Sequence, residues 1–357
     1  MDAHRPAPDP RTYLDGLVTR SRTPGLQYLA IGAAGPLFDY YGGWADLRRR
    51  IAMTPATTMM AYSMSKTISA AAVLQLVAAG RVGLDDPIER YHPTPYGAGI
   101  TLRRLLAHLS GAPNPIPLRW VHPAAQHATF DEHAALAAVL AAHPRLASVP
   151  GAHYRYSNIG YWLLGSVVER ASGMSFAAYV AAHLLAPLGI APEELGYAIP
   201  DLGRHAHGYL AKYSLMNLAK GLLIERQLIG DYEGRWLRIE PHYLNGPAFG
   251  GLVGTARGFG KFLQDQLRPQ SALLDPATSA LFSEQQRTTS GTPVPMTLGW
   301  HIGDRAGTRF HFKEGGGGGF HCEMRVYPQR GLASVVLSNA TAFDVKGCLD
   351  TLDPEFP

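Results

Sequence analysis

Between Ser63 and Ala79 the chain carries a single charge, Lys66, and the next does not arrive until Arg81. The run of alanine, leucine, isoleucine and valine has helical character but no polar face, so it cannot lie on a surface. A helix apolar on nearly all sides belongs in the middle of a molecule, with other layers wrapped around it. Gly80 supplies its stop. No stretch of the chain reaches the roughly 18 apolar residues that read as a membrane span. The expectation is therefore a soluble, layered fold built around one internal helix.

The remaining sequence supplies the layers. Thr12–Arg20 reads as a short amphipathic helix, and Gln27–Ile31 with Pro36–Trp44 as a hairpin bounded by glycines. Helical segments follow at Leu102–Leu109, Phe130–Ala142, Gly160–Ala171, Phe176–Leu185 and Ala256–Leu267. Strand signals return at Leu298–Ile302, Arg309–Glu314, Phe320–Tyr327 and Leu332–Leu337. Strands at both ends with helices between them predict an α+β fold whose antiparallel sheet is built from the two termini. Residues 1–84 and 287–357 are expected to form a sheet lobe, and 85–286 an inserted, mainly helical lobe, with a cleft between. Gly203–Gly251 follows neither period; its aromatic residues and glycines suggest an excursion that lines something.

Composition excludes several classes. A net charge of +4 over 357 residues, with one basic run at Arg48–Arg50, is no footprint for nucleic acid. Two cysteines, Cys322 and Cys348, read as free thiols in a reducing compartment rather than as a scaffold. Met1–Thr12 has no apolar core of the kind a secretory leader needs, so the expected location is cytoplasmic, or periplasmic or secreted if a leader has been removed. His205 and His207 stand at ligand-like spacing, but no acidic or cysteine partner accompanies them, and no metal or organic cofactor is implied. The expected partner is a small molecule, with neither nucleic acid nor membrane, and the oligomeric state is open.

Chemistry enters at Ser63-Met64-Ser65-Lys66, the head of the internal helix. Positions i and i+3 share a helix face, so the amine of Lys66 reaches the Ser63 hydroxyl. Serine is inert at its own pKa and needs a neighbouring base. Lysine serves only when its pKa is depressed, and a helix N-terminus pushes in that direction. The same N-terminus leaves the Ser63 N–H free as an oxyanion donor. Two further motifs keep it company. Y-x-N occurs at Tyr156-Ser157-Asn158 and again at Tyr243-Leu244-Asn245, and K-x-G at Lys313-Glu314-Gly315 on a predicted strand. Only six residues in the chain are lysine, and two of them fall on these motif positions.

With these motifs in this order, the chain resembles the serine β-lactamase-like superfamily, specifically its class C branch of β-lactamases, D-Ala-D-Ala carboxypeptidases, D-aminopeptidases and family VIII carboxylesterases. The resemblance runs through "ITLRRLLAHLSGAPN", "PGAHYRYSNIGYWLLGSVVERASGMSF", "GGLVGTARGFGKFLQ" and "FKEGGGGGF". It implies a β-lactamase/transpeptidase-like fold, with Ser63 as acyl-accepting nucleophile and Lys66 as its proton-handling partner. It further implies Tyr156 as the general base that later protonates the leaving group, with Asn158 orienting Lys66 and the substrate carbonyl. Lys313 takes the third-motif position, where its charge is expected to lower the Tyr156 pKa. The Gly316 amide is expected to complete the oxyanion hole with that of Ser63.

One residue departs from the pattern. Glu314 stands where β-lactamases and peptidases favour Thr or Ser to grip a substrate carboxylate, so an anionic β-lactam or peptide is expected to be repelled. This points to a neutral carboxylic ester as substrate. The alternatives are a class C β-lactamase or D-stereospecific amidase, an acyltransferase, and a penicillin-binding module that does not turn over. Gly315, Glu314, Tyr243, Trp236 and Phe249 are expected to bind substrate, with Tyr213 and Met216 as further candidates for an apolar wall. His108 reads as a packing residue.

Overall fold

The computed structural model describes residues 9–115 and 120–357, with 222 and 223 described by backbone alone. Residues 1–8, most of the stretch read for a leader, lie outside it. Seven strands form the main sheet: β1 (Gly25–Gly32), β2 (Gly35–Asp46), β3 (Ile51–Ala52), β4 (His301–Arg305), β5 (Thr308–Gly317), β6 (Phe320–Tyr327) and β7 (Leu332–Ser338). Their spatial order is β4-β5-β6-β7-β1-β2-β3, antiparallel throughout. The chain's two ends meet where β1 pairs with β7, Leu26 opposite Ser338 and Gly32 opposite Leu332. Both strands are buried along almost their whole length. That is why they read as continuous apolar runs rather than alternating ones.

Each face of the sheet carries its own helices. On one lie α1 (Pro10–Thr19) and α5 (Val345–Leu352), closing a core that includes Leu14, Tyr28, Tyr327, Val336 and Leu349. Asp9 starts α1 by accepting the Thr12 N–H, with Pro10 in the first turn. On the other face α4 (Ala256–Leu267) packs across β1 and β7. Beyond it run α2 (Ser65–Ala78) and α3 (Asn158–Ser172), in one hydrophobic core with the sheet. Eleven of the fourteen residues of α2 are buried, so the uncharged helix lies in the middle of the molecule. Ser157 caps α3 by accepting the Gly160 N–H, and Gly173, left-handed at φ 77°, ends it.

The stretch from Gly203 to Gly251 forms a small sheet of its own, in which Trp236–Ile239 pairs with Gly208–Ala211 on one side and Ile229–Glu233 on the other. Trp236, expected at the substrate, instead packs beside Tyr209 in the core under α1 and α5. After this sheet, His242–Leu244 pairs with Val121–Pro123 as a two-stranded ribbon. Strand pairing between distant segments sets which aromatic faces which side, and a local pattern does not carry it. Among the described residues no single helix is long and apolar enough to cross a membrane.

Candidate active site

Ser63 lies in a single 3-10 turn, Tyr62–Met64, that leads into α2. Tyr62 takes a left-handed φ of 44°, a conformation that costs a residue with a side chain about 1–3 kcal/mol. Its surroundings hold it there: the Tyr62 hydroxyl is 3.0 Å from His242 Nε2 and 3.0 Å from the Gly318 carbonyl oxygen. The kink presents Ser63 to a cleft. Lys66, one turn on, is fully buried. Its Nζ lies 2.9 Å from Ser63 Oγ, 2.7 Å from Asn158 Oδ1 and 2.6 Å from the Phe249 carbonyl oxygen. Burial, with the Lys313 charge adding to it, holds the Lys66 amine well below its ordinary pKa. A neutral amine has two hydrogens, and the two oxygens that only accept take both. In that neutral form the lone pair is left for the proton of Ser63, while the ammonium form donates to Ser63 Oγ.

The Tyr156 hydroxyl approaches Ser63 Oγ from another direction, at 2.6 Å. Burial pushes this phenol well above its ordinary pKa, and the hydrogen bond to Ser63 offsets only part of that. The expected lowering by Lys313 is not seen. Lys313 Nζ stands 5.5 Å from the Tyr156 ring centroid, and burial brings Lys313 itself down to about 7. Tyr156 is protonated in the resting site.

β5 runs directly against the Ser63 turn. A Cβ at Gly315 would stand 2.2 Å from the Ala61 carbonyl oxygen and 2.9 Å from the Ser63 nitrogen, so only glycine allows the approach. Gly316 borders the cleft beside Ser63. To one side is a pocket of about 220 Å³ with walls of Val121, Met216, Ile224, Leu228, Leu244 and Phe249. To the other the cleft widens between Tyr156, His301, Phe312 and Glu314. Among the described residues lining both parts, Glu314 bears the one carboxylate and no lysine or arginine is present. Its Oε1 is 2.7 Å from His321 Nε2, while His321 Nδ1 is 2.6 Å from the Phe343 carbonyl oxygen. Both partners only accept, so both ring nitrogens carry hydrogen and His321 is an imidazolium. Burial opposes that charge, but the Glu314 and Phe343 hydrogen bonds outweigh it and raise the His321 pKa.

The Beta-lactamase family model matches residues 11–352. The chain belongs to the Beta-lactamase family. It thereby belongs to a family of serine hydrolases built on this fold. Penicillin-binding protein 4* of Bacillus subtilis (strain 168) is 27% identical over 169 residues, which cover 45% of this chain and 36% of that protein. The chain thus spans about a third of that relative's length. Among solved structures, the D-amino acid amidase of Ochrobactrum anthropi SV3 superposes with a TM-score of 0.80 at 20% identity, covering 97% of both chains. EstCE1, described as a hydrolase with promiscuous acyltransferase activity, superposes at 0.70 with 20% identity, covering 98% of this chain and 97% of its own. Such identities establish the shared fold.

Within this family fold, Ser63, Lys66, Tyr156, Asn158, Gly315 and Gly316 come together, and Phe249 contributes both a pocket wall and the carbonyl that holds Lys66. Met216 lines the pocket, whereas Tyr213 is exposed at the surface. Tyr243 turns away from Ser63 into a second cavity, its hydroxyl accepting the Ile199 N–H at 2.6 Å. His108 is buried against the Tyr156 ring and accepts the Ser157 N–H at 3.2 Å. His205 bonds Thr58, and His207 meets Arg238 and Asp46. Cys322 and Cys348 are buried, free, and in different cores. Sequence reasoning missed His301, which lines the cleft with Nε2 3.0 Å from the Tyr154 hydroxyl, and His242 beneath Tyr62. Neither belongs to a motif. Only the tertiary pairing of β4 and of the 242–244 ribbon brings them in.

Proposed function

We propose that this serine hydrolase acts on carboxylic esters with neutral, apolar acyl groups, through an acyl-enzyme on Ser63. One observation supports it most: the pocket beside Ser63 is apolar, and among the described residues lining the cleft no lysine or arginine is offered to an anionic substrate, the one carboxylate there, on Glu314, being paired with His321. Ser63 Oγ attacks the ester carbonyl as its proton passes to neutral Lys66. The Ser63 and Gly316 N–H groups receive the oxyanion. On collapse the C–O bond to the leaving alcohol breaks, and Tyr156 gives that oxygen its proton, replenished from Lys66. Water then attacks the acyl-enzyme by the same route in reverse, releasing the acid and restoring Ser63.

An amide or an acyl-acceptor alcohol fits the same residues, and the names of the amidase and EstCE1 neighbours bring both to the reading as second choices. The test compares p-nitrophenyl esters of graded acyl length with nitrocefin and with amino acid amides on one preparation. Ester turnover dominating the other two supports the proposal; dominant nitrocefin or amide cleavage overturns it. Product formed only when an alcohol is added identifies a transferase instead.

A further inference from the structure

The ribbon of Val121–Pro123 and His242–Leu244 is a partition. Val121 and His242 line the pocket beside Ser63, His122 and Tyr243, on alternate positions of the same strands, line a second cavity of about 580 Å³, and Leu244 stands between and borders both. Its rim of Ala181, Ala186, Pro192, Ala198 and Pro200 is exposed, so a ligand enters from solvent without passing Ser63. Inside, near-parallel rings form flat walls: His127 lies 3.7 Å from Tyr243 and His122 3.9 Å from Phe130, centroid to centroid. Apart from Tyr197 and Asn245 the rest of the lining is apolar, with Leu185, Ile190 and Leu195.

One carboxyl group breaks that pattern. Glu132, at the start of the helix Glu132–Ala142, lines the cavity and accepts the Trp162 indole N–H through Oε1 at 3.0 Å. Among the described residues no arginine, lysine or histidine pairs with it. Burial, with the Glu169 carboxylate of α3 adding to it, raises its pKa to about 8. A part-buried carboxyl group with no cation, in a flat aromatic cavity open to solvent, is complementary to a ligand that has an apolar aromatic body and one ammonium group.

We propose that this second cavity binds arylalkyl ammonium ions, with Glu132 as counter-ion and the ring walls holding the aromatic body. The site is separate from the Ser63 pocket, and its occupancy does not rest on the ester reading. Because Glu132 must release its proton to pair with the ligand, affinity should rise about tenfold per pH unit below 8 and level above it. The Glu169 carboxylate and the rings of His122, His127, Tyr197 and Tyr243 are the other titratable groups around it, and Glu132→Gln separates their effect from its own. Burial keeps His122 and His127 below the ordinary imidazole pKa, and Tyr197 and Tyr243 above the ordinary phenol pKa.

The test titrates 2-phenylethylammonium and neutral 2-phenylethanol into the full chain by calorimetry between pH 6 and pH 9. The expected result is saturable ammonium binding at least tenfold tighter than the alcohol's, with the pH rise described. Glu132→Gln should remove both the preference and the pH rise. Ala181→Trp, which fills the rim, should abolish binding while ester turnover persists. No saturable binding, equal affinities, a flat pH profile, or binding that survives Ala181→Trp would each overturn the proposal. Ammonium binding competitive with ester and unaffected by Glu132→Gln would place the ligand at Ser63 instead, which overturns it equally.

Discussion

Lys66 has three partners; in its neutral form two hydrogens serve Asn158 and Phe249, and the lone pair then faces Ser63. Arginine cannot be deprotonated in a protein, so Lys66→Arg should lower kcat/KM for an ester by about 10²–10⁴, and the permanent charge it buries without a carboxylate partner should lower the melting temperature as well. Steady-state kinetics with a thermal melt checks both halves. Lys313 acts on Lys66 at a distance. Below its own pKa of about 7 it is charged, and its charge disfavours protonated Lys66. Lys313→Met removes that repulsion and raises the Lys66 pKa, so the acid limb of the kcat/KM profile should move to higher pH. An acid limb that stays in place, or moves down, would disconnect the two lysines. The three-residue spacing that joins Ser63 to Lys66 is local, so it was legible in the sequence. The protonated state of Tyr156 was not, because it depends on how much protein buries the ring.

At the scale of elements, two contacts decide whether the site and the fold hold. β5 touches the Ser63 turn at Gly315, where a methyl group would meet the Ala61 carbonyl and the Ser63 amide. Gly315→Ala should therefore push the strand off the nucleophile and reduce kcat by about 10² or more, since displacements of an ångström carry such costs. Pre-steady-state kinetics should show the loss in acylation. On the opposite face of the sheet, Arg325 of β6 is fully buried; its Nε meets Glu323 at 2.5 Å and its Nη1 meets Asp350 of α5 at 2.6 Å. Asp353, also buried, lies 3.8 Å from Nη1, so Arg325→Met leaves Glu323 and Asp353 without their cation, which should cost about 3–5 kcal/mol. Urea denaturation measures it, and the protein that remains folded should keep its kcat.

The same elements show what a sequence carries. The helix built around alanine and leucine, and strands as continuous as β1 and β7, announce themselves because burial on all sides leaves an unbroken apolar run. Trp236 and Tyr243 do not: each sits on a short strand whose face is chosen by a partner far along the chain, so their aromatic character was visible and their direction was not. His301 and the wall Val121 entered the site only through such pairings.

For the whole molecule, the account rests on a cleft whose charge is set by one pair. While His321 is protonated, Glu314 is compensated; as pH rises past the elevated His321 pKa the pair becomes net negative. Esters with an anionic acyl group should therefore show a KM that climbs with pH relative to neutral esters of equal size, and Glu314→Gln should flatten the climb. A constant ratio across pH would remove Glu314 from substrate selection. The central claim, an acyl-enzyme on Ser63 formed from a neutral ester, is tested most directly by quenching the reaction with p-nitrophenyl butyrate in acid during turnover and mapping the adduct by peptide mass spectrometry. The account predicts one butyryl group on Ser63, present during turnover, gone when the ester is exhausted, and absent from Ser63→Ala. Turnover with no adduct on Ser63, or a butyryl group lodged on another residue that clears at the turnover rate, would contradict it.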